Sequence, residues 1–297
     1  MDAIVTEGLS KRYGARVAVD ALSMAVPAGQ VFGFLGPNGA GKTTTIAMLL
    51  GLVRPSAGRA LIFGRDVWRE PAPALADVGA MIDGPAFYPY LSGRDNLLAL
   101  ARAEGLPDGR AAAALAAVGL SDRARDRYRT YSQGMRQRLG IAAALLREPR
   151  LLILDEPSNG LDPAGQREIR ELIRDLAASG HTIFVSSHQL HEVEQVCDEV
   201  AILKAGRLLA CGPVAALLRR GRGVLVRVAA EPERAAELLR GLAWVAGVAP
   251  HDGALLVDTP AERAAELSMA LAAAGIAVAE IRARDASLEE FFLQTIS

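Results

Sequence analysis

The stretch FLGPNGAGKTTT, residues 34–45, spaces two glycines, a lysine and a threonine as Gly36-x4-Gly41-Lys42-Thr43. Glycines at 36, 39 and 41 free the backbone to turn its N–H groups towards phosphate oxygens, and a helix starting immediately afterwards adds partial positive charge. Lys42 supplies a mobile ammonium for β- and γ-phosphates, and the Thr43 hydroxyl is a ligand for Mg²⁺. Lysine occurs only at positions 11, 42 and 204 of a chain that otherwise prefers arginine. A flexible point charge reaches between phosphates where a planar guanidinium fits less well. Gly36, Asn38, Gly39, Ala40, Gly41, Lys42, Thr43 and Thr44 are therefore the candidate phosphate contacts.

Two further groups belong with that loop. Leu151–Leu154 is an apolar run ending in Asp155-Glu156-Pro157, which reads as a buried parallel strand. Such sheets gather ligand chemistry at the carboxyl ends of their strands. Asp155 suits the Mg²⁺ side of a bound phosphate, and Glu156 suits the group that orients or deprotonates an attacking water. A second strand, Thr182–Ser187, ends at His188, which could bond a γ-phosphate and hold that water. Taken singly, an Asp-Glu pair at a strand end or a histidine at a helix start is ordinary structure. Their company with the phosphate loop changes the reading. Ser132 in YSQGMRQRLGIAAALL reads as the N-cap of a helix spaced by Leu139, Ala142, Ala143 and Leu146.

These elements need a sheet and a core to hold them, and the composition allows both. Hydrophobic residues make up 51% of the 297 and charged residues 23%, a length for about two domains. The formal net charge of -1 gives no bulk attraction for nucleic acid. Cys197 and Cys211 lack metal-site spacing and read as reduced thiols. The start, Met1-Asp2, shows no leader pattern, and the longest apolar stretch, Leu267–Ala279 between Glu266 and Glu280, is too short to span a bilayer. The expectation is a soluble α/β protein whose membrane role, if it has one, comes through a partner.

The order of motifs resembles the nucleotide-binding subunit of ATP-binding cassette (ABC) transporters over about residues 2–217. Gly36–Thr43 resembles Walker A and Leu151–Glu156 Walker B. Tyr131-Ser132-Gln133-Gly134-Met135 resembles the signature LSGGQ, Ser158–Asp162 the D-loop, His188 the switch histidine, and Tyr13 the aromatic that stacks on adenine. The resemblance implies an ABC-type P-loop ATPase domain, with a parallel sheet core, an antiparallel β part and a helical subdomain. It implies ATP and Mg²⁺, catalytic roles for Glu156, His188 and Lys42, and a head-to-tail homodimer. Ser132 and Gly134 of one copy would contact the γ-phosphate held by the other, and a lone copy would hydrolyse ATP poorly. The implied place is cytoplasmic, peripheral on the inner face of the membrane through an integral membrane subunit, with no nucleic acid.

Two positions depart from the family pattern. Gln133 stands where a glycine is usual, and Asp83 stands where a glutamine usually reaches Mg²⁺. A carboxylate is a good hard ligand, so the expected metal set is Thr43, Asp83 and Asp155; the other reading of Asp83 is a capping carboxylate before Pro85. The acidic residue followed by Pro-x-Phe-Tyr-Pro, together with YSxGMRQRLGIA, resembles the bacitracin- and lantibiotic-resistance branch, which exports peptide antibiotics or similar amphiphiles. Phe87, Tyr88 and Tyr90 read either as a dock for the membrane subunit or as local packing. Arg123, Arg125, Arg127 and Arg129, interleaved with Asp122 and Asp126, read as a solvated surface.

LRRGRG, residues 218–223, breaks the chain, giving an ATPase domain at 1–220 and an accessory domain at 221–297. Strands at 224–229, 244–248, 254–257 and 276–281 and helices at 233–239 and 262–274 give βαββαβ, a ferredoxin-like α+β order, followed by a short helix Ser287–Ile296. This domain reads as a dimer-supporting or regulatory module. The leading functional expectation is an exporter's ATPase subunit. The alternatives are a soluble ABC ATPase acting on nucleic acid or ribosomes, and a binding module with little turnover.

Overall fold

The first strands follow from alternation. In the computed structural model, which describes residues 1–219, 223–284 and Leu288, β1 (Asp2–Tyr13) and β2 (Arg16–Pro27) form an antiparallel hairpin. Leu22, Met24 and Val26 of β2 are buried while Ala21, Ser23 and Ala25, which alternate with them, are exposed, the period-two pattern of a one-faced strand. β3 (Val31–Leu35) is buried at every residue and leads through the glycine loop into α1 (Lys42–Leu49). β4 (Ala57–Ile62) and β5 (Arg65–Asp66) complete an antiparallel sheet of order β2-β1-β4-β5.

A short helix, α2 (Pro71–Leu75), precedes β6 (Val78–Met81). Three helices then pack on one another: α3 (Gly93–Ala103), α4 (Gly109–Ala117) and α5 (Gln133–Leu145). Serine caps start two of them. Ser92 Oγ accepts from Asp95 N at 3.0 Å, and Ser132 Oγ accepts from Met135 N at 3.2 Å. The chain returns as β7 (Leu151–Asp155), α6 (Pro163–Ala178), β8 (Thr182–Ser187), α7 (Leu190–Val196), β9 (Glu199–Lys204) and β10 (Arg207–Pro213). Asp162 caps α6 by accepting from Gly165 N at 2.9 Å, with Pro163 in the first helical position, where its missing N–H costs nothing.

The second sheet has the order β10-β9-β3-β8-β7-β6, parallel except for β10 at its edge. β7 and β8, like β3, are buried throughout, as expected of strands covered on both faces. Phe32 and Phe184 stack at 5.9 Å and Phe34 meets Phe184 at 5.1 Å; this core also takes in Leu22 and Val26 of the hairpin and Ile46 and Leu49 of α1. Emptying it by Phe34→Ala costs about 3–5 kcal/mol. The register is what matters for function. Leu35 lies opposite Ser187 and Asp155 opposite Ser186, so the glycine loop, Glu156 and His188 all leave the same end of the sheet.

Contacts divide the chain into Met1–Pro213 and Val214–Ser297. The second unit begins with α8 (Val214–Arg219) and continues as β11 (Gly223–Val228), α9 (Pro232–Arg240), β12 (Gly247–His251), β13 (Ala254–Asp258), α10 (Ala264–Ala273) and β14 (Val278–Arg284). The sheet is antiparallel with the order β12-β13-β11-β14, and Val226, Leu239, Val257, Leu267 and Leu271 fill its core. One strand is displaced from expectation: residues 244–246 precede β12, and Trp244 instead carries the Arg263 guanidinium over its ring at 4.8 Å. The expected boundary at 220/221 and the helix Ser287–Ile296 lie outside the described residues, apart from Leu288.

Candidate active site

Gly41 shapes the phosphate loop. It holds φ at 106°, and a Cβ there would sit 2.5 Å from the Ala18 carbonyl oxygen of β2, so only glycine fits. The turn places Lys42 at the first position of α1, 6% exposed, with Nζ donating to the Gly36 carbonyl at 2.7 Å. Thr43 Oγ1 donates to Asp155 Oδ2 at 3.1 Å, which brings together two hard oxygens from different elements that could hold a cation. Pro37, Asn38, Gly39, Gly41, Lys42, Thr43 and Thr44 line a cleft of about 300 Å³ together with Glu156, His188, Asn159, Arg16 and Ala18. Gly36 and Ala40 lie in the loop without lining that space, and Ala40 is buried.

Glu156 is the centre of the site. Its Oε1 lies 3.1 Å from Lys42 Nζ, and its Oε2 lies 2.8 Å from His188 Nδ1. Its backbone is left-handed, with φ 50°, an unusual state for a side-chain-bearing residue that the surroundings must hold. Glu156 N donates to both the carbonyl and the Oγ of Ser186, at 3.3 and 3.0 Å, and Asn159 N donates to the Glu156 carbonyl at 3.0 Å. Ser186 Oγ in turn donates to Asp155 Oδ1. One serine of β8 thus holds the Asp155 carboxylate and the Glu156 backbone N–H together.

The helices behind the site are tied together. Gln166 of α6 donates to the Gln189 side chain, Arg170 pairs with the part-buried Glu192 of α7, and Arg174 donates to the Gln195 carbonyl. These three α6 residues recur at the i, i+4 spacing of one helix face. Because α6 follows residues 158–162 and α7 follows His188, the ladder ties those two loops to each other.

The other candidates lie elsewhere. Ser132 and Gly134 open α5 in a second cleft, with Gln133, Gly160, Leu161 and Asp162, and do not share the Lys42 cleft. Gln133 is a helical residue and is not among those of positive φ, so its replacement of glycine demands no special backbone. Tyr131 anchors the segment: its hydroxyl donates to the Arg123 carbonyl at 2.8 Å, and burial pushes that hydroxyl's pKa up. Tyr13 is 50% exposed and pairs with Arg16, which does line the cleft. Asp83 is exposed with φ 53°, two residues past Met81, whose partner in β7 is Leu154; it lines neither cleft. The aromatic loop divides in two. Phe87 packs edge-on against Tyr128 at 5.3 Å, while Tyr88 and Tyr90, 58% and 66% exposed, lean together at 6.1 Å. Asn96 clamps this loop, its side chain bonding both the N–H and the carbonyl of Tyr88.

Sequence reasoning passes over Ser186 and Arg16, and meets Asn159 only as a member of the segment that resembles the D-loop. The serine pair that ends the apolar run TIFVSS is the one local hint, since polar residues closing a buried strand face the ligand end of the sheet. No spacing rule singles out Arg16.

The ABC transporter family matches residues 19–159. The chain is 48% identical over 205 residues to an uncharacterized ABC transporter ATP-binding protein, YhcH, of Bacillus subtilis, covering 68% of this chain and 67% of that one. It is 40% identical over 296 residues to the bacitracin transport ATP-binding protein BcrA of Bacillus licheniformis, covering 99% and 97%. A solved ATP-binding subunit of an ABC transporter superposes with a TM-score of 0.64 at 31% identity, over 73% of this chain and 92% of that one. The phosphate loop, the Glu156 cluster and this similarity along nearly its whole length agree: the chain belongs to the ATP-binding, ATP-hydrolysing subunits of the ABC transporter family.

Proposed function

We propose that the chain powers an exporter, working as two copies beneath a separate integral membrane subunit on the cytoplasmic face of the membrane. The observation that carries the reading is Glu156 held between Lys42 and His188 over the phosphate loop. A triphosphate entering the loop draws Lys42 to its β- and γ-phosphates and frees Glu156 Oε1 for water. Glu156 then takes a proton from that water as its oxygen bonds to the γ-phosphorus. The bond to the β–γ bridging oxygen breaks, leaving ADP and phosphate. His188 holds the other carboxylate oxygen, which keeps Glu156 aimed at the water. Tyr13, beside Arg16 at the rim, is the aromatic proposed to stack on the base.

The oxygen pair Thr43–Asp155 suits Mg²⁺. That ion dehydrates reluctantly and combines one or two protein oxygens with waters and substrate phosphate oxygens. Bound there, Mg²⁺ would neutralise charge on the β- and γ-phosphates. Asp83 lies past the end of β6, on the edge from which Asp155 projects, and is proposed as a further carboxylate for the ion. Ser132 and Gly134 share no cleft with Lys42 in one copy, which supports their meeting the γ-phosphate held by a second copy.

No described helix is long and apolar enough to cross a membrane, and the membrane role is proposed to come through a partner. The exposed Tyr88 and Tyr90 offer that partner a contact. The bacitracin transport relative, matched along nearly the full length, supports a peptide antibiotic or similar amphiphile as cargo. The unit beginning at Val214 is proposed to support the dimer or its regulation.

The test is mass spectrometry of what co-purifies with tagged Glu156→Gln chain from detergent-solubilised membranes in ATP and Mg²⁺. A stoichiometric polytopic membrane protein supports the reading. Ribosomes or DNA in its place move the weight to a soluble machine.

A further inference from the structure

Gln133 occupies an unusual place for a residue of the signature segment. Its side chain leaves the α5 N-terminus and donates through Nε2 to the Asn159 carbonyl at 3.2 Å. Asn159 N donates to the Glu156 carbonyl at 3.0 Å, and Asn159 itself lines the Lys42 cleft. Two hydrogen bonds therefore connect the residue between Ser132 and Gly134 to the backbone of the water-activating glutamate of the same copy. The contact is fitted. Gly160 holds φ at 73°, and a Cβ there would stand 2.5 Å from Gln133 Nε2, so a side chain at 160 would push the amide away. Arg138 and Glu168, 3.4 Å apart, tie α5 to α6 within the cleft that Ser132, Gln133 and Gly160 line.

We infer that Gln133 is a positioning residue that couples the two nucleotide sites of the assembled pair. Glycine at 133 would have no group to reach Asn159. With glutamine, a phosphate that settles against Ser132 and Gly134 seats the α5 N-terminus, and the amide passes that seating to the 156–159 turn. Engagement of the second copy's nucleotide then sets the aim of this copy's Glu156. The inference rests on the two-copy reading above. It adds a named route between the sites that runs within one chain.

The experiment measures two quantities on full-length chain. Turnover is measured in the complex purified with its membrane partner, for wild type, Gln133→Ala and Gln133→Met; methionine keeps the length and loses the donor. ATP-driven dimerisation is measured by sedimentation of the same variants carrying Glu156→Gln. Coupling predicts a kcat lowered roughly three- to tenfold, the scale of one hydrogen bond that orients a reacting group. It also predicts a KM and an ATP midpoint of dimerisation within about twofold of the parent. Unchanged kcat in both variants overturns the coupling and leaves the two-copy reading intact. A dimerisation loss that matches the kcat loss also overturns it, because Gln133 would then act only at the interface. Glu156→Gln chain that stays monomeric in ATP sinks the two-copy reading and the coupling with it.

Discussion

Lys42 Nζ lies 3.1 Å from Glu156 Oε1, so the cation proposed to bind phosphate and the carboxylate proposed to activate water are paired with each other. Lys42 is also 6% exposed and bonded to the Gly36 carbonyl, which leaves it one direction in which to exchange partners. On the proposed mechanism, incoming phosphate replaces the carboxylate, so that binding and activation of the nucleophile are the same event. Lys42→Ala removes both, and we expect fluorescent ATP analogues to bind at least about tenfold more weakly, a charge-assisted contact being worth roughly 1.5–3 kcal/mol. Affinity within twofold of wild type would contradict this.

Ser186 joins the Asp155 carboxylate to the Glu156 backbone. Ser186→Ala removes the donor to Asp155 and the acceptor for Glu156 N in a fully buried place. The expected cost is about 1–3 kcal/mol, because the buried Asp155 Oδ1 loses its donor while Glu156 N keeps the Ser186 carbonyl. Thermal unfolding should show a lowered Tm, and the Mg²⁺ concentration for half-maximal turnover should rise.

Gly41→Ala tests the loop's shape. With φ at 106° and the Ala18 carbonyl 2.5 Å from the new Cβ, the loop must open. We expect ATP binding to fall below detection in a chain whose far-ultraviolet circular dichroism stays that of the wild type.

The α6–α7 ladder predicts an effect at a distance. Arg170→Met strands the part-buried Glu192 carboxylate, and breaking such a pair from one side costs up to about 3–5 kcal/mol. The double change Arg170→Met with Glu192→Leu should recover most of the stability in chemical denaturation. Its turnover should stay below wild type if the ladder positions His188. Full recovery of turnover would reduce the ladder to packing.

Asp83→Ala addresses the departure from the family's glutamine. The expected result is a shifted Mg²⁺ dependence of turnover in the assembled complex. Identical Mg²⁺ dependence and identical turnover would leave Asp83 as a turn residue, the role its φ of 53° also suits.

What the sequence reveals follows the range of each signal. The glycine loop is local, and its chemistry is spelled by the eight consecutive residues Gly36–Thr43. The strand that ends in Asp155 and the strand that leads to His188 are legible because burial on both faces demands unbroken apolar runs. Ser186, Asn159 and Gln133 act through partners 26 to 31 residues away or through backbone groups, and no spacing rule encodes those contacts. Trp244 misleads for a related reason. Its aromatic character suits a strand, but its ring is used to carry Arg263. The two clefts, one with Lys42 and one with Ser132, are a property of the tertiary arrangement alone.

The most direct test of the account is the identity of the nucleotide retained by Glu156→Gln chain after incubation with ATP and Mg²⁺, read by chromatography of the quenched, desalted protein. The account predicts ATP, one per copy in a sedimenting dimer, where wild type retains ADP. ADP in the variant at the wild-type level would contradict it, because water would then be activated without Glu156.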